Sequence, residues 1–231
     1  MNKLNTILAA VGALLMLTVT SANSIEFKAG VSANGLAAYA NAKEQMKGNT
    51  RVTNEEAVLA ASFASAFVEI SSEDAMGLGI GVSYAPEVVD LEKETRTIQN
   101  TSGDAANDSG DQIIDGKIQD LLSVYLTLPV GDTGAYAKAG YIQATLITAE
   151  NLATGSKYED IDMTGMQIGG GYEGELGDMA FWRAEGTYQM WEDLSASGSE
   201  GGRVASSALQ KNKITAEVGS ITGTLSVGMK F

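Results

Sequence analysis

The stretch Ile214–Phe231 reads ITAEVGSITGTLSVGMKF. Leu225, Val227, Met229 and Phe231 alternate with Thr224, Ser226, Gly228 and Lys230. This period of two describes a strand with one apolar and one polar face. Its apolar face runs to a terminal aromatic residue, where a soluble strand usually gains a short polar tail because ends fray. Two settings remain open for such a strand: the last strand of an ordinary sandwich, or the closing strand of a barrel in a membrane. The rest of the chain decides between them.

Composition narrows the field. The chain has 231 residues, enough to bury a core or close a small barrel. Asn2 and Lys3 form a short basic start, Ile7–Val19 is an apolar run, and Thr20-Ser21-Ala22 offers small residues for cleavage. Residues 1–22 therefore read as a secretory signal peptide, and 23–231 as one domain. Beyond them no apolar run reaches the roughly 18 residues a transmembrane helix needs. A membrane protein of this sequence would have to be a barrel, since only helices and closed barrels satisfy every backbone group in lipid. There are no cysteines, so the exported fold must hold without disulfides. There are no histidines, which removes Ser-His-Asp and Cys-His catalysis and the commonest zinc ligand. The formal net charge of -14 argues against nucleic acid as a partner.

Taken in order, the chain offers eight strand-like stretches. The first spans about 25–39, with Ile25, Phe27, Ala29 and Val31 opposing Glu26, Lys28, Gly30 and Ser32. The second, about 56–70, alternates poorly: Phe63 and Phe67 share parity with Glu69, and its outward face stays undecided. The third sets Met76, Leu78, Ile80, Val82 and Tyr84 against Gly77, Gly79, Gly81 and Ser83. Glycine weakens a strand interior, so a row of it on one face needs a reason. A narrow barrel supplies one, since its inward face must leave room for larger side chains opposite. Pro86 is expected just past this strand. Further strands are expected at about 115–128, 135–148 (parity ambiguous), 162–174 and 180–191, and Ile214–Phe231 completes the set.

The connections alternate in length. Residues 40–55, 86–114, 149–161 and 192–212 form long polar loops, whereas 71–74, 129–134 and 175–179 are tight turns. An even number of antiparallel strands, with long loops on one side and short turns on the other, is the plan of a transmembrane barrel. A Greek-key sandwich has no reason to obey it. The expected fold is therefore all-β, an eight-stranded antiparallel up-and-down transmembrane β-barrel whose first and last strands are hydrogen-bonded neighbours.

Aromatic residues near the proposed strand ends (Phe27, Tyr84, Tyr136, Tyr172, Phe181, Trp182, Trp191 and Phe231) would form the two interfacial girdles. The lumen would receive Glu26, Lys28, Tyr125, Gln167, Glu173, Arg183, Glu185, Gln189 and Lys230. Charges of both signs would pair across it. Glu173, Arg183 and Glu185 could instead form an acid–base set, but paired charges in a filled barrel are more simply structural, and no catalytic residue, metal site or cofactor is expected. The acidic run around Asp104, Asn107, Asp108 and Asp111 lacks the spaced pattern of a calcium loop ending in a bidentate Glu. It reads as a solvated loop.

The signal peptide, the eight strands, the Arg183-Ala184-Glu185 alternation and the terminal GTLSVGMKF together resemble the small eight-stranded bacterial outer-membrane proteins. These include the barrel domain of OmpA-type proteins, the Opa-type adhesins and OmpW-like proteins. The resemblance implies a Gram-negative outer-membrane location, contact with outer-membrane lipid and lipopolysaccharide, and termini in the periplasm. It also implies that Leu225, Val227, Met229 and Phe231 form the signal read by the barrel assembly machinery. A monomer is expected, with no peptidoglycan-binding domain after the last strand. Members range from adhesion to passage of small hydrophobic compounds, and fold does not choose among them. The expected role is a non-enzymatic, structural or surface-interaction one through the loops. The alternative is a narrow channel or lateral-exit transporter for small solutes.

Overall fold

The computed structural model describes residues 25–45, 52–72, 76–90, 94–98, 110–151, 159–197 and 213–231. The expected signal peptide, residues 1–22, and Asp104, Asn107 and Asp108 of the expected acidic loop lie outside them. No helix occurs among the described residues. Ten strands form a single antiparallel sheet: β1 (Ile25–Gln45), β2 (Val52–Ser72), β3 (Leu78–Asp90), β4 (Glu94–Ile98), β5 (Gly110–Pro129), β6 (Ala135–Asn151), β7 (Ile161–Glu175), β8 (Ala180–Trp191), β9 (Leu194–Ser197) and β10 (Lys213–Lys230). The short β4 continues the line of β3 along β5, and β9 continues that of β8 along β10. The staves therefore number eight.

The sheet closes on itself. β1 pairs with β10 from Lys28↔Lys230 to Gln45↔Lys213. Phe27 and Phe231 exchange backbone hydrogen bonds at 3.2 and 2.9 Å, and their rings meet at 6.1 Å. Closure removes the two edges that an open sheet would leave exposed. At the end where β1 begins and β10 finishes, residues 130–134 join β5 to β6 and residues 176–179 join β7 to β8, both as tight turns. Gly177, at a φ of 94°, turns the chain between β7 and β8, a conformation open to glycine at little steric cost.

Alternation divides each stave between a lumen face and an outer face. On β10, Ser220, Thr222 and Ser226 are buried inside while Ile221, Leu225, Val227 and Met229 are exposed outside. Inverting the usual inside-out rule is what a stave between water and hydrocarbon requires. At about 3.3 Å per residue and a tilt of about 40°, β1 from Ala29 to Tyr39 covers roughly 25 Å of height, the thickness of an apolar membrane band.

Several boundaries differ from the sequence reading. β1 and β2 run on through Lys43 and Asn54 to the rung Gln45↔Val52. Ladder bonds are made by backbone, so polar side chains do not end a strand once it has left the apolar band. For the same reason β3, β4 and β5 invade the expected loop 86–114, and β9 lies in 192–212. Pro86 sits inside β3, not past it. Three of the proposed girdle aromatics belong to the interior: Phe181 and Tyr136 are buried, and the Trp191 indole donates to Ser220 Oγ at 3.1 Å. Odd parity on β8 points Phe181 and Trp191 inward, and proximity to a strand end does not override it.

Candidate functional site

The lumen is crossed by a charged plug. Arg183 of β8 makes a forked pair with Glu69 of β2, its two terminal nitrogens donating at 2.8 and 2.6 Å. Its Nε donates to Glu173 of β7 at 2.7 Å. Glu173 in turn accepts from Lys28 of β1 at 2.8 Å, and Lys28 also lies 3.0 Å from Glu26. Beside this chain Lys138 of β6 donates to Glu185 of β8 at 2.9 Å. Three cations and four carboxylates thus meet within a few ångströms, drawn from five staves. The Arg183–Glu69 and Lys138–Glu185 pairs are nearly out of water, which is tolerated because each charge has a partner.

Aromatic rings complete the plug. The Arg183 guanidinium lies 5.4 Å from the centroids of Phe67 and Tyr136 and 5.1 Å from that of Phe181. Lys138 sits 4.0 Å over Tyr125. Both arrangements set a cation against the negative face of a ring. The glycine row of β3 makes the space: a Cβ on Gly81 would enter the Tyr125 ring, and one on Gly79 would meet the Glu69 carboxylate. At the rim next to the turn 176–179, Lys230 donates to Glu175 at 2.6 Å and holds that carboxyl below its ordinary range.

Above the plug lies a chamber of about 50 Å³ lined by hydroxyl and amide groups, among them Ser32, Asn34, Ser65, Gln167, Gln189 and Thr222. That is room for about three waters. Asn34 donates to Ser65 at 3.0 Å and accepts from Thr224 at 2.8 Å, and Ser220 donates to Gln189 at 2.6 Å. Higher still the interior turns apolar. Ala85, Val88 and Val89 of β3 pack with Leu36, Leu59, Ala61, Phe63, Ile118 and Leu121.

Beside this apolar cluster the wall is split. β2 and β3 pair only from Ser72↔Leu78 up to Ala66↔Tyr84. Above that rung β2 continues to Val52 on β1 alone, and β3 continues to Asp90 on β5 alone. Pro86 has no N–H to donate and lies in this unpaired part of β3, where the side toward β2 carries no ladder. The register of β3 on β5 shifts between Glu87 and Val89, a bulge of the kind that bends a strand locally. A cavity of about 730 Å³ fills the split, lined by residues 60–64 of β2, 86–89 of β3, and Lys117 of β5. Phe63 lines both this cavity and the lumen chamber. The split opens where the outer face of β2 carries the small or apolar residues Val58, Ala60, Ser62 and Ala64.

Of the residues singled out in the sequence, Glu26, Lys28, Glu173, Arg183 and Glu185 come together in the plug, and Lys230 stands at its rim. Leu225, Val227, Met229 and Phe231 are exposed on the outer face of β10 or just past it. The sequence reading missed Glu69 and Lys138, the partners of Arg183 and Glu185, because both lie on staves of undecided parity. The shared parity of Phe63, Phe67 and Glu69 was itself the signal: rings beside a carboxylate suit a lumen that wraps a guanidinium. Pro86 was the one visible mark of the split. Among the described residues no cluster of three or more acidic, His or Cys side chains could hold a metal.

No protein-family model matches the chain, and neither does any curated protein sequence. Among solved structures it is similar to the outer membrane protein OprG from Pseudomonas aeruginosa, with 15% identity, a TM-score of 0.51, and coverage of 90% of this chain and 96% of that one. It is also similar to the N-terminal β-barrel domain of Pseudomonas aeruginosa OprF (14% identity, TM-score 0.40, coverage 85% and 97%). A third is Ail, the attachment invasion locus protein of Yersinia pestis (14% identity, TM-score 0.37, coverage 87% and 99%). At such identities the likeness is one of fold: this chain is a closed eight-stranded antiparallel barrel of the kind seen in outer-membrane proteins.

Proposed function

We propose that the protein is a non-enzymatic barrel of the bacterial outer membrane that passes small apolar compounds sideways through its wall. Entry is at the end away from the Phe27–Phe231 rung, and the axial route is closed by the plug. The observation that carries this reading is the split between β2 and β3, which shares Phe63 with the lumen chamber and is lined in part by the apolar side chains Ala60, Ala61, Ala64, Val88 and Val89. Unpaired backbone at membrane depth is costly unless it lines a water-filled or occupied cavity. A fold that keeps such a split has a use for it. The exported chain would reach this membrane through its signal peptide, and the β10 residues Leu225 to Phe231 would be recognised there by the assembly machinery.

The test is transfer of a small apolar fluorophore into the lipid of vesicles carrying the protein. Ala61→Trp, which fills the split, should abolish the acceleration over protein-free vesicles, whereas wild type should show no conductance steps in planar bilayers. Transfer that ignores Ala61→Trp would sink the lateral route. Reproducible steps would sink the closed axis.

A second reading has its own support. β1 and β2 are each 21 residues long, about twice the 9–11 needed to cross a bilayer. Their upper halves would stand clear of the membrane as a rigid collar beneath the loops, suited to contact with other surfaces. Cell-binding assays with the connecting segments 46–51 and 99–109 exchanged would separate this adhesive role from transfer, since both leave the walls of the split in place.

A further inference from the structure

The cavity in the split combines an apolar stretch with a charged end. Lys117 of β5 lines it together with Glu87 of β3, and the two lie 3.9 Å apart. The pair is loose, and Glu87 is free to leave it, since its side chain is 79% exposed while that of Lys117 is 36% exposed. The apolar part, formed by Ala60, Phe63, Val88 and Val89, is a slot between two strand edges. Its volume of about 730 Å³ lies in the range of sites that hold a small-molecule ligand. The slot runs along two strand edges above the last rung Ala66↔Tyr84, so its shape suits an elongated ligand. A hydrocarbon chain needs no more than this slot. A cation held at the slot's polar end by a swinging, solvent-exposed carboxylate gives the site a second element of recognition.

We propose that the split takes a single-chain amphiphile with an anionic head, a long-chain carboxylate, arriving free from the loop end of the barrel. The chain lies against Phe63, Val88 and Val89, and the head displaces Glu87 from Lys117. This rests on the lateral route proposed above and adds its head-group selectivity. The exchange sets one carboxylate in place of another beside Lys117, so the charge balance at the mouth of the slot is kept. Glu87 thereby acts as a competitor: its charge lowers the affinity for the incoming head.

The experiment uses full-length protein in vesicles with photoactivatable hexadecanoate and hexadecanol as probes. Adducts are mapped to residues 60–64 and 86–89. The expected result is that hexadecanoate labels more efficiently than hexadecanol. Lys117→Gln should weaken its apparent affinity roughly tenfold, the effect of losing one charged hydrogen bond. Glu87→Gln should strengthen it, and neither substitution should move hexadecanol by more than about twofold. A merely steric role for these residues would not shift the affinity in opposite directions. Both side chains stand at the mouth, and the heat-modified gel mobility of each variant checks its folding. Equal labelling by the two probes with no effect of Lys117→Gln would overturn the head-group inference and leave the lateral route standing. No labelling of the split by either probe would overturn both.

Discussion

The strongest energetic consequence concerns Arg183. Its forked pair with Glu69 is almost wholly out of water, at 3% and 1% exposure. Replacing Arg183 with Met keeps most of the side-chain length between Phe67 and Phe181 but leaves Glu69 charged and unpaired. Breaking a buried pair in this way costs about 3–5 kcal/mol. Glu173 suffers less, because it keeps Lys28. Glu69→Met should cost a similar amount from the other side, although Arg183 retains its bond to Glu173. Added independently, the two losses would come to about 6–10 kcal/mol, yet two apolar side chains in place of the pair should leave a net change of about 0–3 kcal/mol. The assay is reversible urea unfolding in vesicles, followed through the fluorescence of Trp182 and Trp191, the chain's two tryptophans. One faces the outside and the other bonds to Ser220 within, so the two sides of the wall are reported together. Single losses below about 1 kcal/mol, or a double variant that equals the sum, would refute the view that the pair is buried and mutually dependent.

Further expectations follow from particular contacts. Gly81→Leu should destabilise by about 1–3 kcal/mol or more in the same assay, because its Cβ enters the Tyr125 ring. Gly223→Leu, whose Cβ meets open space on the outer face, should stay within about 0.5 kcal/mol. Removing Phe231 takes away the backbone exchange with Phe27 and the last exposed outer residue; the heat-modifiable fraction recovered from cells should fall severalfold. Glu175 titrates below its ordinary range in the folded barrel, so its contribution is present at neutral pH and lost as pH falls. Lys230→Gln should therefore lower the neutral plateau slightly and leave stability at low pH unchanged, so that the acid limb of a stability–pH profile becomes shallower.

How far the sequence revealed this molecule depended on the contrast between the faces of each stave. β7, β8 and β10 alternate cleanly, so the inward direction of Glu173, Arg183 and Lys230 could be read before any coordinates. β2 and β6 could not be read, and they hold Glu69 and Lys138. The physical reason is that their inward faces are themselves partly apolar, with Phe63 and Phe67 on one and Tyr136 and Ile142 on the other. A binary pattern then has no contrast from which to assign parity. Strand ends were misplaced for a related cause: beyond the membrane band both faces are polar, and composition alone cannot tell a protruding strand from a loop. The split was hidden because it is a property of register between two strands, and only Pro86 leaves a mark of it in the sequence.

Plug and split are mechanically related. The β2–β3 ladder ends at Ala66↔Tyr84, and Glu69 lies three residues below on β2. Through Arg183 it ties this edge of the split to β8, and through Glu173 and Lys28 to β7 and β1. β3 offers no such tie on its inner face, where Gly79 and Gly81 stand. The short ladder below the split is thus held from one side by a cross-lumen brace. Glu69→Ala should let the split lengthen toward the turn: amides of residues 66–70 and 80–84 should lose protection against hydrogen exchange by roughly a hundredfold, the equivalent of about 3 kcal/mol. The rungs between β1 and β10 should keep theirs. An equal loss of protection in every stave would show that the plug pins the whole barrel and has no special relation to the opening.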